Sequence, residues 1–406
     1  MANYLVAIPT YWTYPAGRGA EEVIYDHPSP LDTPGTLRRT LESLTPLIRE
    51  KVRVAVVAGA SASGLEGEVE GRVREIIATP PLPYPVLLLA ASHRQALQDF
   101  FRRQGKTEWL PWLSPAGYSQ MRNLTLILAT IWEAEILVSL DDDEVIDDGD
   151  FLIKIEEDFA LLSREHPICG LAGIYRQADG GVLLPEPAGA WAAYWPKLKW
   201  MNAAFRELIL TGPRLKPTPL GFGGNLALSA PLFRRLPFDP ALTRGEDTDY
   251  ILNARMFQIP FFLDNTLGIL HLPPKKPHPT WLRLRQDLIR FAYTRVKLRQ
   301  QEAAPGLARV APEELKPYPG NFLDDNLESL ALRSHALLSL EYLDAGDAEG
   351  ARQTLENLLL LDRITRSDKN VFQAYLGLAA QWQDLQTWLA YPPVAAQARQ
   401  AVWGTA

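Results

Sequence analysis

The chain has 406 residues, 47% apolar and 22% charged, with a formal charge of −7. That balance belongs to a globular protein and excludes a disordered or fibrous one, and the negative sign leaves no broad cationic footprint for nucleic acid. The length exceeds one ordinary core and predicts two domains, one of them large.

A single cysteine, Cys169, makes no intramolecular bridge, and no Cys/His spacing suggests structural zinc. A reducing, cytoplasmic setting is therefore expected. The opening MANYLVAIPTYW lacks a basic region followed by a long apolar stretch. No later segment reaches about 18 consecutive apolar residues, so no transmembrane segment is expected and any lipid contact would be peripheral.

In chain order, Tyr4–Ile8, Val52–Ala58, Val86–Ala91 and Ile136–Leu140 read as buried strands. Between them Thr36–Leu47 and Ser119–Trp132 carry apolar residues at helical spacing. The alternation predicts an α/β layer fold with a mostly parallel central sheet flanked by helices, in which ligands sit at the carboxyl ends of the strands. Pro9-Thr10-Tyr11, Ala58–Ser63 and the acidic run after the fourth strand lie at such ends. The stretch Trp12–Pro34 is long for such a connection and rich in Pro, Gly and Asp, which suits a lid or binding loop.

The residues with chemistry begin at Asp141-Asp142-Asp143, followed by Glu144: a buried strand that ends in four carboxylates. Clustered carboxylates suppress one another's ionisation unless a cation compensates, and hard oxygen ligands suit Mn2+ or Mg2+ with a diphosphate completing the shell. Side-chain alternation would place Asp141 and Asp143 on one side and Asp142 on the other. A solvated acidic turn ahead of the helix Phe151–Leu162 is the simpler alternative.

Further on, Gly221-Phe222-Gly223-Gly224-Asn225 offers backbone that a ligand can approach closely, or simply a loop. Arg244-Gly245-Glu246-Asp247-Thr248-Asp249-Tyr250 runs into a helix, where the acids either cap it or supply a general base. His271 closes the apolar stretch Phe261–Leu270, with Lys275 and Lys276 just beyond as candidate cover for a diphosphate. Arg122, at the start of its helix, is placed to pair with phosphate.

Trp281–Arg299 is helical in pattern, with Arg283, Arg290 and Lys297 spaced by seven; a solvated basic face is the expectation and an anionic lipid surface the alternative. A proline-rich zone, Ala303–Asn321, precedes a change of composition. Domains are accordingly set at 1–305, a linker at 306–325, and a helical domain at 326–406. There ALLSLEYLDAGDAEGARQTLENLLLLD resembles one tetratricopeptide unit, which leaves a protein-partner surface and a helical cap on the enzyme both open.

These pieces, in this order, resemble the GT-A glycosyltransferases, especially the family-2-like inverting group that includes cellulose, chitin and many polysaccharide synthases. The likeness spans about residues 3–275. It rests on the first strand ending IPTYW, the helix TLRRTLESL, MRN where the family usually has ARN, the DxD site Asp141-Asp142-Asp143, the GGN segment, and GEDTDY with its later arginine.

The resemblance implies a GT-A fold and a metal-dependent hexosyltransferase acting from a nucleoside-diphosphate sugar, uridine diphosphate being the expected nucleotide, onto a hydroxyl acceptor. Pro9, Thr10 and Tyr11 would line the nucleobase pocket, Arg122 would help hold the nucleotide, and Asp141 and Asp142 would lie at the donor. Asp141, Asp143 and His271 would bind the metal. Asp247 matches the catalytic base, Glu246 would help bind the acceptor, and Gly223, Gly224 and Asn225 would border it. One departure is Ala58-Gly59-Ala60-Ser61, where the family usually shows an acidic pair contacting the base. A retaining enzyme of the glycosyl-phosphoglycerate synthase type, a nucleotidyltransferase and a non-catalytic sugar-nucleotide-binding protein are the alternatives.

Overall fold

The structure is a computed structural model, and it describes residues 2–15, 25, 28–274 and 278–404. Its strands are β1 (Tyr4–Thr13), β2 (Ser29–Pro30), β3 (Val52–Ala60), β4 (Val86–Leu89), β5 (Ile136–Ser139), β6 (Glu144–Val145), β7 (Gly170–Arg176), β8 (Leu215–Pro217), β9 (Leu226–Ser229) and β10 (Phe261–His271). The helices of the first part are α1 (Leu37–Ser43), α2 (Glu66–Ala78), α3 (Ala91–Arg103), α4 (Tyr118–Ile131), α5 (Phe151–Leu162), α6 (Lys197–Leu208), α7 (Ala230–Phe233), α8 (Glu246–Met256) and α9 (Thr280–Arg299). Four more follow: α10 (Leu327–Asp344), α11 (Ala348–Thr365), α12 (Val371–Leu389) and α13 (Pro392–Trp403).

The strands form one sheet in the order β4-β3-β1-β5-β9-β7-β10-β6, with β2 added beside β1 and β8 beside β10. The expected α/β class holds. From β4 to β5 all pairings are parallel, and antiparallel pairing enters only with β9, β8 and β6. The central strand β1 is buried along its whole length. Its alternation sends Leu5 and Ala7 into a core with α3 and α4, while Tyr4, Val6 and Ile8 enter another with α1, α2 and α5.

Strand β1 runs past the predicted Ile8 to Thr13, so Pro9, Thr10 and Tyr11 belong to the strand itself. Likewise β10 includes His271 as its last residue. Most of the expected lid, 16–24 with 26 and 27, lies outside the described residues, as do Lys275 and Lys276.

The last two helices join the first core. Trp382, Leu385, Leu389 and Ala398 cluster with α4, Trp382 Nε1 donates to the Phe233 carbonyl at 2.8 Å, and the Tyr375 hydroxyl donates to that of Pro237 at 3.0 Å. The proline-rich stretch contributes Leu315 and Tyr318, and Phe322 follows just after it, to a third core that also holds Phe291 of α9 and Leu338 of α10.

The basic pattern of α9 departs from expectation. Arg290 and Lys297 are buried, Lys297 completely, so this face is neither solvated nor turned to lipid. Charge spacing reports a helix face, but buried carboxylates decide that the face points inward: Asp239 and Asp249, from other segments, receive Lys297, and Asp287, one turn earlier on α9, receives Arg290. Among the described residues no helix is long and apolar enough to cross a membrane.

Candidate active site

Four chain segments meet at the carboxyl end of β5. The acidic run follows β5 directly. Because β9 is antiparallel to β5, with Ser139 opposite Leu226, the loop 221–225 that precedes β9 is delivered beside Asp141–Asp143. The end of β10 arrives from the other side, His271 pairing with Glu144. The start of α4 closes the group, and it is tied to the chain just ahead of α8 by Ser119 Oγ donating to the Leu242 carbonyl.

Within the MRN segment the two polar residues divide the work. The Asn123 side chain clamps Phe238 in both directions, accepting from its N–H at 2.8 Å and donating to its carbonyl at 2.9 Å. Arg122, buried, donates to Ser139 Oγ at 2.7 Å and to Asp141 Oδ1 at 2.5 Å, and its Nε lies 3.6 Å from Glu246 Oε1. It therefore links the acidic run to the Glu246–Asp247 motif.

Asp142 turns away from its neighbours: its carboxylate accepts from Thr10 Oγ1 at 2.5 Å, and Thr10 in turn accepts from Trp12 Nε1 at 2.9 Å. Carboxylate oxygens of Asp141, Asp143 and Glu144 all lie within 4.8 Å of one another. Glu144 is fully buried, its Oε2 accepting from the Asp141 N–H at 2.7 Å. Burial pushes its pKa well above the usual carboxylate range and the charges of Asp141 and Asp143 push it further, against the hydrogen bonds from Tyr175 and the Asp141 N–H. Three crowded carboxyl groups, one of them sealed from water, have the chemistry of a seat for a hard divalent cation. His271 Nε2 stands 3.6 Å from Asp143 Oδ2, and its ring stacks on Tyr175 at 4.5 Å.

Sequence reasoning did not assign Glu144 to this seat, although the fourth acid of the run was visible. It also missed Tyr175, whose place depends on strand order alone.

The glycines are fixed by these neighbours. A Cβ on Gly224 would stand 2.1 Å from Glu144 Oε1, and one on Gly223 would stand 2.7 Å from Arg122 Nη2. Gly224 donates its N–H to the Tyr175 hydroxyl at 2.9 Å. Asn225 is buried, and its Nδ2 donates to the carbonyls of Ile174 and Leu267, bracing β7 against an irregularity in β10.

Across the cleft, Gly245 takes the left-handed conformation at φ +76°, which lets the chain turn sharply into α8 with Glu246 and Asp247 in its first turn. Asp247 is partly exposed. Its Oδ1 accepts from the Thr248 N–H at 2.6 Å and its Oδ2 from the Gly223 N–H at 3.2 Å, so both oxygens are oriented by backbone. Glu246 is buried and its pKa is pushed up to about 7, by burial first and by Asp247 second, with Arg122 opposing.

The cleft between these walls has a volume of about 230 Å³ and also touches Tyr11, Tyr118, Met201, Phe205 and Phe222. Pro9 lies back from the cleft in β1, paired with Val57. Tyr11 lies 4.0 Å from Tyr25 with the rings tilted by 31° and meets Tyr118 edge-on at 5.1 Å, an aromatic group of a kind that holds a flat ring.

No protein-family model matches the sequence, and no curated protein matches it significantly. Solved structures are similar at low identity. One is the mannosyltransferase PcManGT from Pyrobaculum calidifontis in complex with GDP-Man and Mn2+, at 18% identity and a TM-score of 0.46 over 99% of this chain and 88% of that one. Another is S. aureus TarS 1–349, at 14% identity and 0.41 over 87% and 90%. A third is glucosyl-3-phosphoglycerate synthase from Mycobacterium tuberculosis with Mn2+, uridine diphosphate and phosphoglyceric acid, at 18% and 0.38 over 71% and 76%.

Proposed function

We propose that the chain is a metal-dependent glycosyltransferase that moves a hexose from a nucleoside-diphosphate sugar, with uridine as the expected base, to a hydroxyl acceptor with inversion. The observation that carries this is a pair of acidic groups on one cleft: the three-carboxylate seat of Asp141, Asp143 and Glu144, and the Glu246–Asp247 pair, with Arg122 between Asp141 and Glu246. Asp141, Asp143 and Glu144, with His271 beside them, would hold Mn2+ or Mg2+, which when bound supplies neutralisation of the departing diphosphate.

The protein's own part follows from its geometry. Backbone N–H groups hold Asp247 with its carboxylate toward the cleft, where an acceptor hydroxyl hands it a proton. As that proton leaves, the acceptor oxygen bonds to the anomeric carbon, and the bond from that carbon to the diphosphate oxygen breaks. Arg122 keeps Asp141 and Glu246 in register across the reacting centre, and the rings of Tyr11 and Tyr118 offer a surface for the nucleobase.

The test is Asp247→Asn in the full chain. Transfer should fall by at least about 1,000-fold, the upper range for loss of a general base, while calorimetric binding of nucleoside diphosphate with Mn2+ stays within a few-fold of wild type. Undiminished turnover removes Asp247 from this role. The anomeric configuration of the product, read by NMR, decides inversion.

A further inference from the structure

Tyr175 stands near the end of β7, in register with Ile269 of β10. Its ring is held between two others. Phe222 of the glycine loop stacks on it at 4.4 Å with the planes 25° apart, and the His271 imidazole stacks on it at 4.5 Å and 27°. Its hydroxyl accepts from the Gly224 N–H at 2.9 Å and donates to the Glu144 carboxylate. One side chain thus holds two groups of the cation seat, His271 by its ring and Glu144 by its hydroxyl.

The glycine loop carries the arrangement on to the second acidic group. Its successive N–H groups have different partners: that of Gly223 donates to Asp247 Oδ2 at 3.2 Å, and that of Gly224 donates to Tyr175. A Cβ on either glycine would collide, with Arg122 at 223 and with Glu144 at 224, so the loop is closely fitted on both sides. A displaced Tyr175 would release Glu144, His271 and the strut to Asp247 together.

A ligating imidazole or carboxylate needs its orientation fixed from behind, and loss of that support costs roughly 10- to 100-fold in metal affinity. Resting on the transferase reading above, we infer that Tyr175 is a positioning residue for the whole centre. Its ring sets the plane of His271 and its hydroxyl sets Glu144. Through Gly224 it keeps the loop that orients Asp247 in register with the bound cation.

Mn2+ alone, titrated into the full chain and followed by electron paramagnetic resonance, tests this when pulsed detection also reads the nitrogen coupling of a bound imidazole. Wild type should show the coupling and His271→Gln should lose it. Tyr175→Phe keeps the stack and drops the hydroxyl: Mn2+ should bind at least about tenfold more weakly with the nitrogen coupling retained. Tyr175→Leu drops the stack as well, and the coupling should disappear. A merely structural role would not split affinity from coupling in this way. Thermal melts of the metal-free variants show that each is folded, and the near-isosteric Tyr175→Phe carries the test by itself if Tyr175→Leu does not fold. Tyr175→Phe that binds Mn2+ as tightly as wild type, Tyr175→Leu that keeps the coupling, or a wild-type spectrum without it overturns the inference while leaving the transferase reading in place. Wild type that binds no Mn2+ removes the transferase reading, and this inference with it.

Discussion

Lys297 of α9 and Asp249 of α8 meet at 2.8 Å in the protein interior, with no exposure of the lysine and 1% of the aspartate side chain. The same ammonium reaches Asp239 at 2.9 Å and Asn253 at 3.2 Å, so the second aspartate of the GEDTDY motif is a structural tie while the first, Asp247, lines the cleft. A buried ammonium between two carboxylates fixes α8, and with it the angle at which Glu246 and Asp247 enter the site.

Lys297→Met should therefore destabilise the fold by about 3–5 kcal/mol, because it leaves two buried acids without their cation. Adding Asp239→Asn and Asp249→Asn should return a substantial part of that loss. Urea unfolding of the single and triple variants measures both; equal stability of Lys297→Met and wild type would show that the network does not hold α8.

Gly224→Ala tests the metal seat through backbone rather than through a ligand. The added methyl falls on Glu144 Oε1, so the carboxylate must leave its place between Asp141 and Gly224. Mn2+ binding followed by electron paramagnetic resonance should weaken by at least tenfold, the lower end expected when the setting of a metal ligand is disturbed. Unaltered affinity would place the cation elsewhere.

The raised pKa of Glu246 sets a sign for stability against pH in the metal-free protein. Below the ordinary value of 4.5 both folded and unfolded chains hold the proton; between there and about 7 only the folded chain keeps it, so stability falls as pH rises. Glu246→Gln removes that loss and should be more stable than wild type at pH 8 by on the order of 2 kcal/mol, the difference shrinking toward pH 4.5. Denaturant titrations across that range decide it, and a gap that widens in acid would reverse the assignment.

Removal of α12 and α13 should not be tolerated. Trp388 packs against Phe100, Phe101 and Trp109, and Trp382 against Trp112, so a chain ending at Arg366 exposes the apolar face of α3 and of the segment Thr107–Leu113 after it. Its melt, followed by circular dichroism, should lose the cooperative transition. A truncated chain that melts like the full one would establish these helices as a separable unit.

Much of this protein is legible along the chain. Strand and helix placement follows from apolar periodicity, which is why α5 spans Phe151–Leu162 as expected and why the acids after β5 stand out where a buried strand ends. What a linear pattern cannot convey is partnership. Asn225 reads as ligand-facing but braces two strands, Arg122 reads as a phosphate anchor but links two carboxylates, and the basic spacing of α9 reads as a wet face but lies inside. The antiparallel entry of β9 decides that the glycine loop meets the acidic run, and the docking of α6 on α9 decides that Lys197 joins Arg290 at the one carboxylate of Asp287. The physical reason is the same throughout: hydrophobic burial is encoded locally by period, whereas the sign and partner of a buried charge depend on which distant segment the fold brings within a few ångströms.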